Sequence, residues 1–437
     1  MKIFISELVI ESLDFGIEFM KKSFLPIFAL GISLQAIPAS LAEENGIFSV
    51  TLKKENKRIN FSSMRPNSPM PTLKSLPISY ETTSSDPYRF KSGVNVPKGR
   101  NSLSSNIVRP SNYGNQKYSY TTAVVKPLTS PKKTDLANVA TSARPYLTTG
   151  KLWMVVGGRW GVCSGSLIGK GVVATAAHCV ATWGGGSSGA ATAVYFIPAA
   201  TSRSSISSTA GPIGYWSGKS LVIPNCYVNG TCVNSASGVQ SSNDLALVVL
   251  DGAVSNLPYA KGAGYYGYGW NGYGFTKGNR YISRRKKLGQ ITQLGYPAAL
   301  GDISSNLGGA MIRTDSMAVY YQPKKNVKNF IWGSQQTGGS SGGPEITNFG
   351  REPSISSSAY TGFRPSHNIL VGVTSWGFTD RTQQLQGASW FGQNKEFPSS
   401  QYKDKAGKKW GAGNIGALMR YVCGKGYLNL NSDYCGY

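Results

Sequence analysis

Residues 172–179 read Val-Val-Ala-Thr-Ala-Ala-His-Cys, an apolar run that ends on a histidine and a cysteine. The β-branched start of the run is typical of a buried strand. His178 is one of only two histidines in the 437-residue chain. A neutral imidazole can accept a proton near neutral pH, provided that another group fixes its tautomer and orientation. His178 is therefore a candidate general base that needs a partner elsewhere in the sequence.

A carboxylate partner for this histidine stands at the head of the most apolar strand-like run. Residues 243–250 read Asn-Asp-Leu-Ala-Leu-Val-Val-Leu. An ionised side chain buried beside such a run needs hydrogen bonds to offset its desolvation. We predict that Asp244 orients His178 and that the imidazole donates one of those hydrogen bonds.

The candidate nucleophile lies in a glycine-rich turn, residues 337–344, which read Thr-Gly-Gly-Ser-Ser-Gly-Gly-Pro. Glycines on both sides let the backbone fold tightly, so that the N–H groups of Gly339 and Ser341 can converge as an oxyanion hole beside the serine hydroxyl. Taken alone, a Gly/Ser-rich segment is more often a flexible linker. Its weight here comes from the combination with the histidine and the aspartate.

The order His178, Asp244, Ser341 and five sequence blocks resemble the chymotrypsin-like (trypsin-like) serine peptidases. The blocks are Cys-Ser-Gly-Ser-Leu-Ile at 163–168, Thr-Ala-Ala-His-Cys at 175–179, Asn-Asp-Leu-Ala-Leu at 243–247, Gly-Ser-Ser-Gly-Gly-Pro at 339–344 and Val-Thr-Ser-Trp-Gly at 373–377. The resemblance covers about 146–437. It implies an all-β fold of two antiparallel β-barrels with the active site between them.

The resemblance also implies a chemistry. It points to a serine endopeptidase that hydrolyses protein or peptide substrates through a Ser-His-Asp triad and an acyl-enzyme intermediate, with no cofactor and no metal. His178, Asp244 and Ser341 are then the catalytic residues. The oxyanion hole is formed by the N–H groups of Gly339 and Ser341. Ser340 is the alternative nucleophile, but only Ser341 directly precedes Gly-Gly-Pro, as the family pattern requires.

Other positions bear on substrate binding and activation. By family alignment, Gln335 lies at the base of the primary specificity pocket, and the backbone of Ser375, Trp376 and Gly377 pairs with an extended substrate. A neutral amide in the pocket argues against a preference for Arg or Lys, so we expect cleavage after uncharged polar or medium apolar residues. Many family members carry Asp in place of Ser340 to receive a new amino terminus, and we expect that switch to be absent.

Six cysteines fall into three close pairs, which are Cys163 with Cys179, Cys226 with Cys232, and Cys423 with Cys435. An even number in an exported chain predicts disulfides, and we favour the local pairing because each bond closes a short loop. In the family, the cysteines that match the first pair are bonded beside the catalytic histidine. A zinc site is disfavoured, because the chain has no Cys-x-x-Cys and few histidines.

Short β-branched and aromatic runs between glycines predict many strands. They cover 152–156, 171–174, 193–197, 245–250, 291–294 and 369–373. We place the first barrel at about 146–255 and the second at about 256–437. Helical spacing of Ile415, Leu418, Met419 and Val422 predicts a short C-terminal helix. The spacing from His178 to Asp244 is longer than usual in the family, and we assign the surplus to surface loops around 181–190 and 202–239.

Residues 1–42 are predicted to be a signal peptide, with Met20 as a candidate true start. Two lysines precede an apolar run over 24–37, and small residues lead to a cleavage site after Ala42. A membrane anchor is the alternative, disfavoured because the run is short and is interrupted by proline and polar residues. We therefore expect a secreted or periplasmic protein without stable membrane insertion after signal removal.

Residues 43–145 are rich in Ser, Pro, Asn, Thr and Lys and show no sustained apolar period. Such a composition predicts a segment that cannot form its own core. We interpret it as a disordered propeptide, which would make the protein a zymogen, and a flexible linker is the alternative. The peptidase domain then covers 146–437, and we expect a monomer.

The chain is strongly basic, with 45 Lys and Arg against 20 Asp and Glu and a formal net charge of +25. This balance excludes an acidic solvating chain, and it permits non-specific attraction to anionic surfaces. Two alternative functions follow. One is a catalytically inactive peptidase-fold protein that binds anionic surfaces through its basic face. The other is a nucleic-acid-binding module, whose affinity would fall steeply with salt.

Overall fold

Strands make up most of the secondary structure, as the short β-branched runs predict. The computed structural model describes residues 46–52, 72–73, 118–125, 144–201, 211–235, 238–277, 287–300, 309–350, 367–378, 383–424, 427, 430 and 432–436. The predicted signal peptide over 1–42, including the alternative start at Met20, lies outside these residues. Within the described ranges, no helix is both long and apolar enough to cross a membrane.

Strands and short helices follow one another along the chain. The strands are β1 (Ile47–Thr51), β2 (Thr72–Leu73), β3 (Tyr120–Val125), β4 (Thr149–Val156), β5 (Arg159–Leu167), β6 (Val172–Thr175), β7 (Ala193–Pro198), β8 (Trp216–Pro224), β9 (Ala246–Leu250), β10 (Gly267–Tyr268), β11 (Thr276–Lys277), β12 (Lys287–Gly295), β13 (Met311–Tyr321), β14 (Asn329–Gly333), β15 (Pro344–Thr347), β16 (Ile369–Phe378) and β17 (Leu385–Trp390). The α-helices are α1 (Ala177–Val180), α2 (Asn225–Val228), α3 (Gly413–Met419) and α4 (Ser432–Cys435).

The first barrel is a closed ring of six antiparallel strands. They follow one another in the order β4, β5, β6, β9, β8 and β7, and β7 pairs again with β4. Closure satisfies the backbone hydrogen bonds of both outer strands, so the ring has no free edge along its paired stretches. Apolar side chains such as Leu152, Val173 and Val248 fill the interior and are fully buried.

The second barrel repeats this arrangement. Its order is β12, β13, β14, β17, β16 and β15, and β15 pairs again with β12, all antiparallel. The short helix α3 follows, with Ile415, Leu418 and Met419 fully buried. Two closed six-stranded barrels and one short C-terminal helix confirm the predicted fold class.

Three strands, β1, β2 and β3, lie within 43–145, the region predicted to be disordered. β1 pairs antiparallel with β8 of the first barrel, and β3 pairs antiparallel with β13 of the second. Ile47 and Phe48 of β1 are buried in a hydrophobic cluster that includes residues of the first barrel. The described strands of this segment add to existing sheets, whose edges offer them backbone partners. Composition alone could not reveal these partners, because they lie in distant parts of the chain.

The loop assigned to residues 202–239 is corrected by the structure. This stretch contains the barrel strand β8 and the short helix α2. The first half of β8 is Trp-Ser-Gly-Lys, which is half-exposed and lacks the continuous apolar run used to predict the other strands. Only its second half, residues 220–224, is buried throughout.

The three local disulfides that the sequence favours are present. Cys163 on β5 is bonded to Cys179 on α1, Cys226 on α2 is bonded to Cys232, and Cys423 is bonded to Cys435 on α4. The described residues include no free cysteine. The first bond fixes the helix that follows β6 to the neighbouring strand, next to His178.

Candidate active site

His178 lies in the first turn of α1, directly after β6, and is buried. Its Nδ1 atom is 2.7 Å from Oδ2 of Asp244, and its backbone N–H donates to Oδ1 of the same carboxylate at 2.9 Å. One carboxylate therefore holds both the ring and the backbone of the histidine. A proton on Nδ1 donates to the carboxylate, which leaves Nε2 as the basic nitrogen.

Asp244 is fully buried two residues before β9, and its carboxylate has a third hydrogen-bond donor. The hydroxyl of Ser375, on β16 of the second barrel, donates to Oδ2 at 2.5 Å. The backbone N–H of Asp244 in turn donates to Oγ of Ser389 on β17 at 3.2 Å. The hydrogen bonds compensate for the desolvation of this carboxylate, as expected for an ionised group beside an apolar strand. They also tie the His–Asp pair of the first barrel to two strands of the second.

The turn that carries Ser341 is wedged between the barrels. The backbone N–H of Ser164 on β5 donates to the carbonyl of Ser341 at 2.7 Å, and the N–H of Gly342 donates to the carbonyl of Thr374 on β16 at 2.7 Å. Gly342 has a φ of +75°, and a Cβ atom there would lie 2.1 Å from Oγ1 of Thr175. Only glycine fits this contact. The turn is thus packed directly against the end of β6, three residues before His178.

The Ser341 hydroxyl is buried and makes no hydrogen bond to any described residue. Nε2 of His178 has Sγ of Cys179 as its neighbour, at 3.9 Å. The predicted triad is therefore joined by hydrogen bonds at the His178–Asp244 step and not at the Ser341–His178 step in this structure. In free enzymes such bonds are often long or misaligned and tighten when substrate binds.

The N–H groups of Gly339 and Ser341, predicted to form the oxyanion hole, share one feature. Within the described part of the chain, the backbone N–H groups of Gly339 and Ser341 have no hydrogen-bond acceptor. The carbonyl of Gly339 is fixed by the hydroxyl of Ser164 at 2.8 Å, and the residue has a φ of +99°. The N–H of Gly339 shares a peptide group with the carbonyl of Gly338, which accepts from the N–H of Ala298 at 2.8 Å. The N–H of Ser341 shares one with the carbonyl of Ser340, which accepts from the N–H of Gly343 at 2.9 Å. Both peptide groups are thus held from their carbonyl side, which leaves both N–H groups available to an acceptor from outside.

The residues predicted to contact substrate lie in and beside the second barrel. Gln335 is buried just after β14. Ser375, Trp376 and Gly377 lie on β16, but the Trp376 indole is fully buried and its Nε1 donates to Oδ1 of Asn329 at 2.8 Å. The indole packs against Tyr321 and Ile331 in a small buried cluster, so only the backbone of this segment remains for pairing with a substrate.

A buried polar network next to the nucleophile turn was not predicted from the sequence. It includes Gln293 on β12, Gln386 on β17, Thr374 on β16 and Glu345 on β15. The Thr374 hydroxyl donates to Oε1 of Glu345 at 2.6 Å, and burial raises the pKa of this carboxyl well above its usual range. The sequence signal for this network is the presence of polar residues inside strand-like runs, because polar side chains are rare in barrel interiors.

Cys163, His178 and Cys179 form a cluster of metal-ligating residue types. The two cysteines are bonded to each other, and a disulfide sulfur is not the thiolate that zinc requires. This cluster therefore offers His178 as a base and not as part of a cysteine-based zinc centre.

The protein has two closed barrels, a serine in a glycine-rich turn between them, and a buried His–Asp pair beside that turn. These features define the class of chymotrypsin-like serine proteases. Residues 143–388 match the family model described as Trypsin, which is more than half of the chain. The chain belongs to the trypsin family.

The chain is also similar to several solved structures. They include the protease Anisep from Arthrobacter nicotinovorans, with 22% identity over 56% of this chain and 91% of that one and a TM-score of 0.38. The thermostable serine protease AL20 from an extremophilic microorganism has 20% identity over 56% and 92%, with a TM-score of 0.39. A Glu endopeptidase in complex with MPD has 18% identity over 57% and 87%, with a TM-score of 0.36. No curated protein sequence matches the chain significantly.

Proposed function

We propose that the protein is a secreted serine endopeptidase that uses His178, Asp244 and Ser341 as its catalytic triad. The observation that carries the proposal is the buried Asp244 carboxylate, which accepts bonds from both the ring and the backbone of His178. An arrangement of this kind fixes the imidazole as a base with a free Nε2. The wedged Ser341 turn, which packs against the same end of β6, supports the assignment of the nucleophile.

The reaction runs in two halves. Oγ of Ser341 attacks the peptide carbonyl carbon while His178 takes the hydroxyl proton, and the N–H groups of Gly339 and Ser341 hold the resulting oxyanion. The carbon–nitrogen bond then breaks, and His178 returns the proton to the leaving amine. Water repeats the sequence on the acyl-enzyme, which releases the carboxylic acid and restores Ser341. Asp244 stabilises the imidazolium in each half without taking its proton.

The preferred residue before the scissile bond is proposed to be uncharged. Gln335 is neutral and buried beside the nucleophile turn. An amide can hydrogen-bond to a polar side chain but cannot pair with the charge of Arg or Lys as a carboxylate would. A peptide library should give cleavage after uncharged polar or medium apolar residues, and cleavage concentrated after Arg, Lys or Glu would contradict this specificity.

We further propose that residues 43–145 restrain the enzyme before it is processed. Thr72 and Leu73 of β2 pair in parallel with Gly377 and Phe378 of β16, the strand that is expected to bind substrate. An added strand on this edge occupies the backbone groups that an extended substrate would need. Residues 1–42 are proposed to be a signal peptide for export to the periplasm or medium, which agrees with the three disulfides.

The second candidate is a peptidase-fold protein without activity that binds anionic surfaces. The missing Ser341–His178 hydrogen bond favours this binding function. So does the charge of 146–437, which contains 26 basic and 10 acidic residues. Such binding would persist in Ser341→Ala and weaken with salt.

The direct test is peptide hydrolysis by the secreted and processed protein, with Ser341→Ala and Ser340→Ala as paired variants. We expect Ser341→Ala to abolish turnover and Ser340→Ala to retain it at a reduced rate. Turnover that survives in Ser341→Ala would show that Ser341 is not the nucleophile. An unaltered biological effect with no turnover in either protein would favour the binding function.

A further inference from the structure

The hydroxyl of Ser340, directly before the proposed nucleophile, both donates and accepts a hydrogen bond. The hydroxyl donates to the carbonyl of Thr337 at 2.8 Å and accepts a bond from Nε2 of Gln386 at 3.1 Å. The family usually has an aspartate at this position, whose partner is a newly released amino terminus. In this chain the partner is a neutral glutamine from β17, which needs no cleavage to be in place.

Gln386 connects both ends of the nucleophile turn. Besides its bond to Ser340, its Nε2 donates to the carbonyl of Gln336 at 2.7 Å. Both N–H bonds of the amide are therefore used within residues 336–340, and the side chain is buried. A primary amide has only two such N–H bonds. The turn is clamped across its base by one side chain.

The clamp is itself held in one orientation. Oε1 of Gln386 accepts from Nε2 of Gln293 at 2.6 Å. The Oε1 atom of Gln293 accepts from the Ser334 hydroxyl at 2.7 Å and from Nε1 of Trp332 at 3.2 Å. Since an indole N–H and this hydroxyl donate to Gln293, its amide cannot be flipped, and neither can the amide of Gln386.

From this geometry we infer that Gln386 is a positioning residue that keeps residues 336–341, and with them the N–H groups of Gly339 and Ser341, in their working conformation without a released amino terminus. The inference rests on the proposed function, because positioning has a consequence only if Ser341 is the nucleophile. The inference separates two steps of maturation. Removal of the proposed propeptide, with its strand β2, frees the edge of β16 for substrate, while the N–H groups of the oxyanion hole are already in place.

The test compares Gln386→Met with the processed wild-type enzyme. Methionine fills a similar volume but donates nothing, so the turn loses both bonds to Gln336 and Ser340. We expect kcat to fall about 10- to 100-fold with KM changed less than about 3-fold. The affinity for a peptide boronate, which places a charged oxygen in the oxyanion hole, should fall in parallel with kcat, while the affinity for the product peptide stays constant.

Gln386→Glu adds a readout that a merely structural role would not move. A carboxylate faces the carbonyl of Gln336 with no donor, whereas a protonated carboxyl can donate one bond. The ratio of variant to wild-type kcat should therefore rise as pH is lowered. Gln401→Met is the matched control, because Gln401 is also a glutamine whose Nε2 donates to two carbonyls, those of Tyr402 and Gly411.

Each outcome decides something. If Gln386→Met matches Gln401→Met in kcat and boronate affinity while the wild type is active, the positioning role is overturned and the proposed function stands. If acetylation of the mature amino terminus lowers kcat more than about 10-fold, the amino terminus does the positioning instead. A wild type that is inert after processing overturns both proposals. Should Gln386→Met fail to fold, Ser340→Ala tests the same contact with a smaller expected loss, about 3- to 10-fold in kcat.

Discussion

The hydroxyl of Ser375 donates a 2.5 Å hydrogen bond to Oδ2 of Asp244, the same oxygen that lies 2.7 Å from Nδ1 of His178. The donor comes from the second barrel and the acceptor from the first. Of the three hydrogen bonds to the proposed catalytic carboxylate, this one therefore depends on the packing of the two barrels. This bond couples the catalytic geometry to the interface between the barrels.

Asp244→Asn should nearly abolish turnover while the protein stays folded. The amide would offer the His178 ring an N–H in place of an acceptor, which favours the wrong imidazole tautomer, and in this template the same change lowers kcat about 10⁴-fold. Steady-state kinetics and a melting curve check the prediction. Asp251→Asn, just beyond the same strand, is the control and should keep turnover within a few-fold of wild type.

Gly342→Ala should remove activity through packing alone. A methyl group at this position would meet Oγ1 of Thr175 at 2.1 Å and the carbonyl of Ser164 at 2.4 Å, so the turn must move away from β6. A shift of about 1 Å is enough to lower kcat about 100-fold. Gly158→Ala is a close control, because Gly158 has a φ of +73° and nothing within 4 Å of the added atom. Equal kinetics for the two variants would contradict this packing account.

Glu345 should make the protein less stable as pH rises. Burial raises the pKa of its carboxyl in the folded state, whereas the unfolded chain ionises near its ordinary pKa of about 4.3. Above that pH, unfolding releases a proton, so the free energy of unfolding falls by up to about 1.4 kcal/mol per pH unit until the folded pKa is passed.

Glu345→Gln removes this titration and keeps an acceptor for the Thr374 hydroxyl. Denaturant unfolding between pH 4 and pH 8 should show a falling free energy for wild type and a flatter profile for the variant. Parallel profiles for wild type and Glu345→Gln would show that the buried carboxyl does not titrate as proposed.

Phe48→Ala should destabilise the full chain, although Phe48 lies in the proposed propeptide. Phe48 is buried in a hydrophobic cluster that includes residues of the first barrel, and truncation of a buried phenylalanine lowers the free energy of unfolding by about 3–5 kcal/mol. Thr51→Ala, an exposed position on the same strand, should change it by less than about 0.5 kcal/mol. No difference between the two variants would mean that β1 is detached from the barrel in solution.

Most of the fold could be predicted from local patterns. Continuous runs such as 193–197 and 245–250 carry enough β-branched and apolar residues to mark a strand without knowledge of its partner. The helix α3 could be predicted from the helical spacing of its buried side chains. The disulfides could be predicted because each pair is close in the chain.

The strands that escaped prediction depend on distant partners. β1 and β8 are only partly apolar. β1 is stabilised by pairing with β8, a strand more than a hundred residues away, and β8 is stabilised by its place in the closed ring, where it pairs with β9. Backbone pairing leaves little trace in composition, since any non-proline residue supplies the same N–H and C=O groups.

The same reasoning applies to the candidate site. His178, Asp244 and Ser341 stand in short motifs, so their roles could be proposed from the sequence. Gln386 and Gln293 have no motif around them, and their value lies in hydrogen bonds between strands that meet only in the closed barrel.

The central claim is that Ser341 is an activated nucleophile, and its most direct test is reaction with a fluorophosphonate probe. The secreted protein is incubated with the probe before and after processing, and the adduct is located by intact mass and peptide mapping. We predict one adduct on Ser341, none in Ser341→Ala and slower labelling at the same site in Ser340→Ala. Labelling should be faster once processing has removed β2 from the edge of β16. Absence of an adduct on every processed form, or an adduct that persists in Ser341→Ala, would contradict the account.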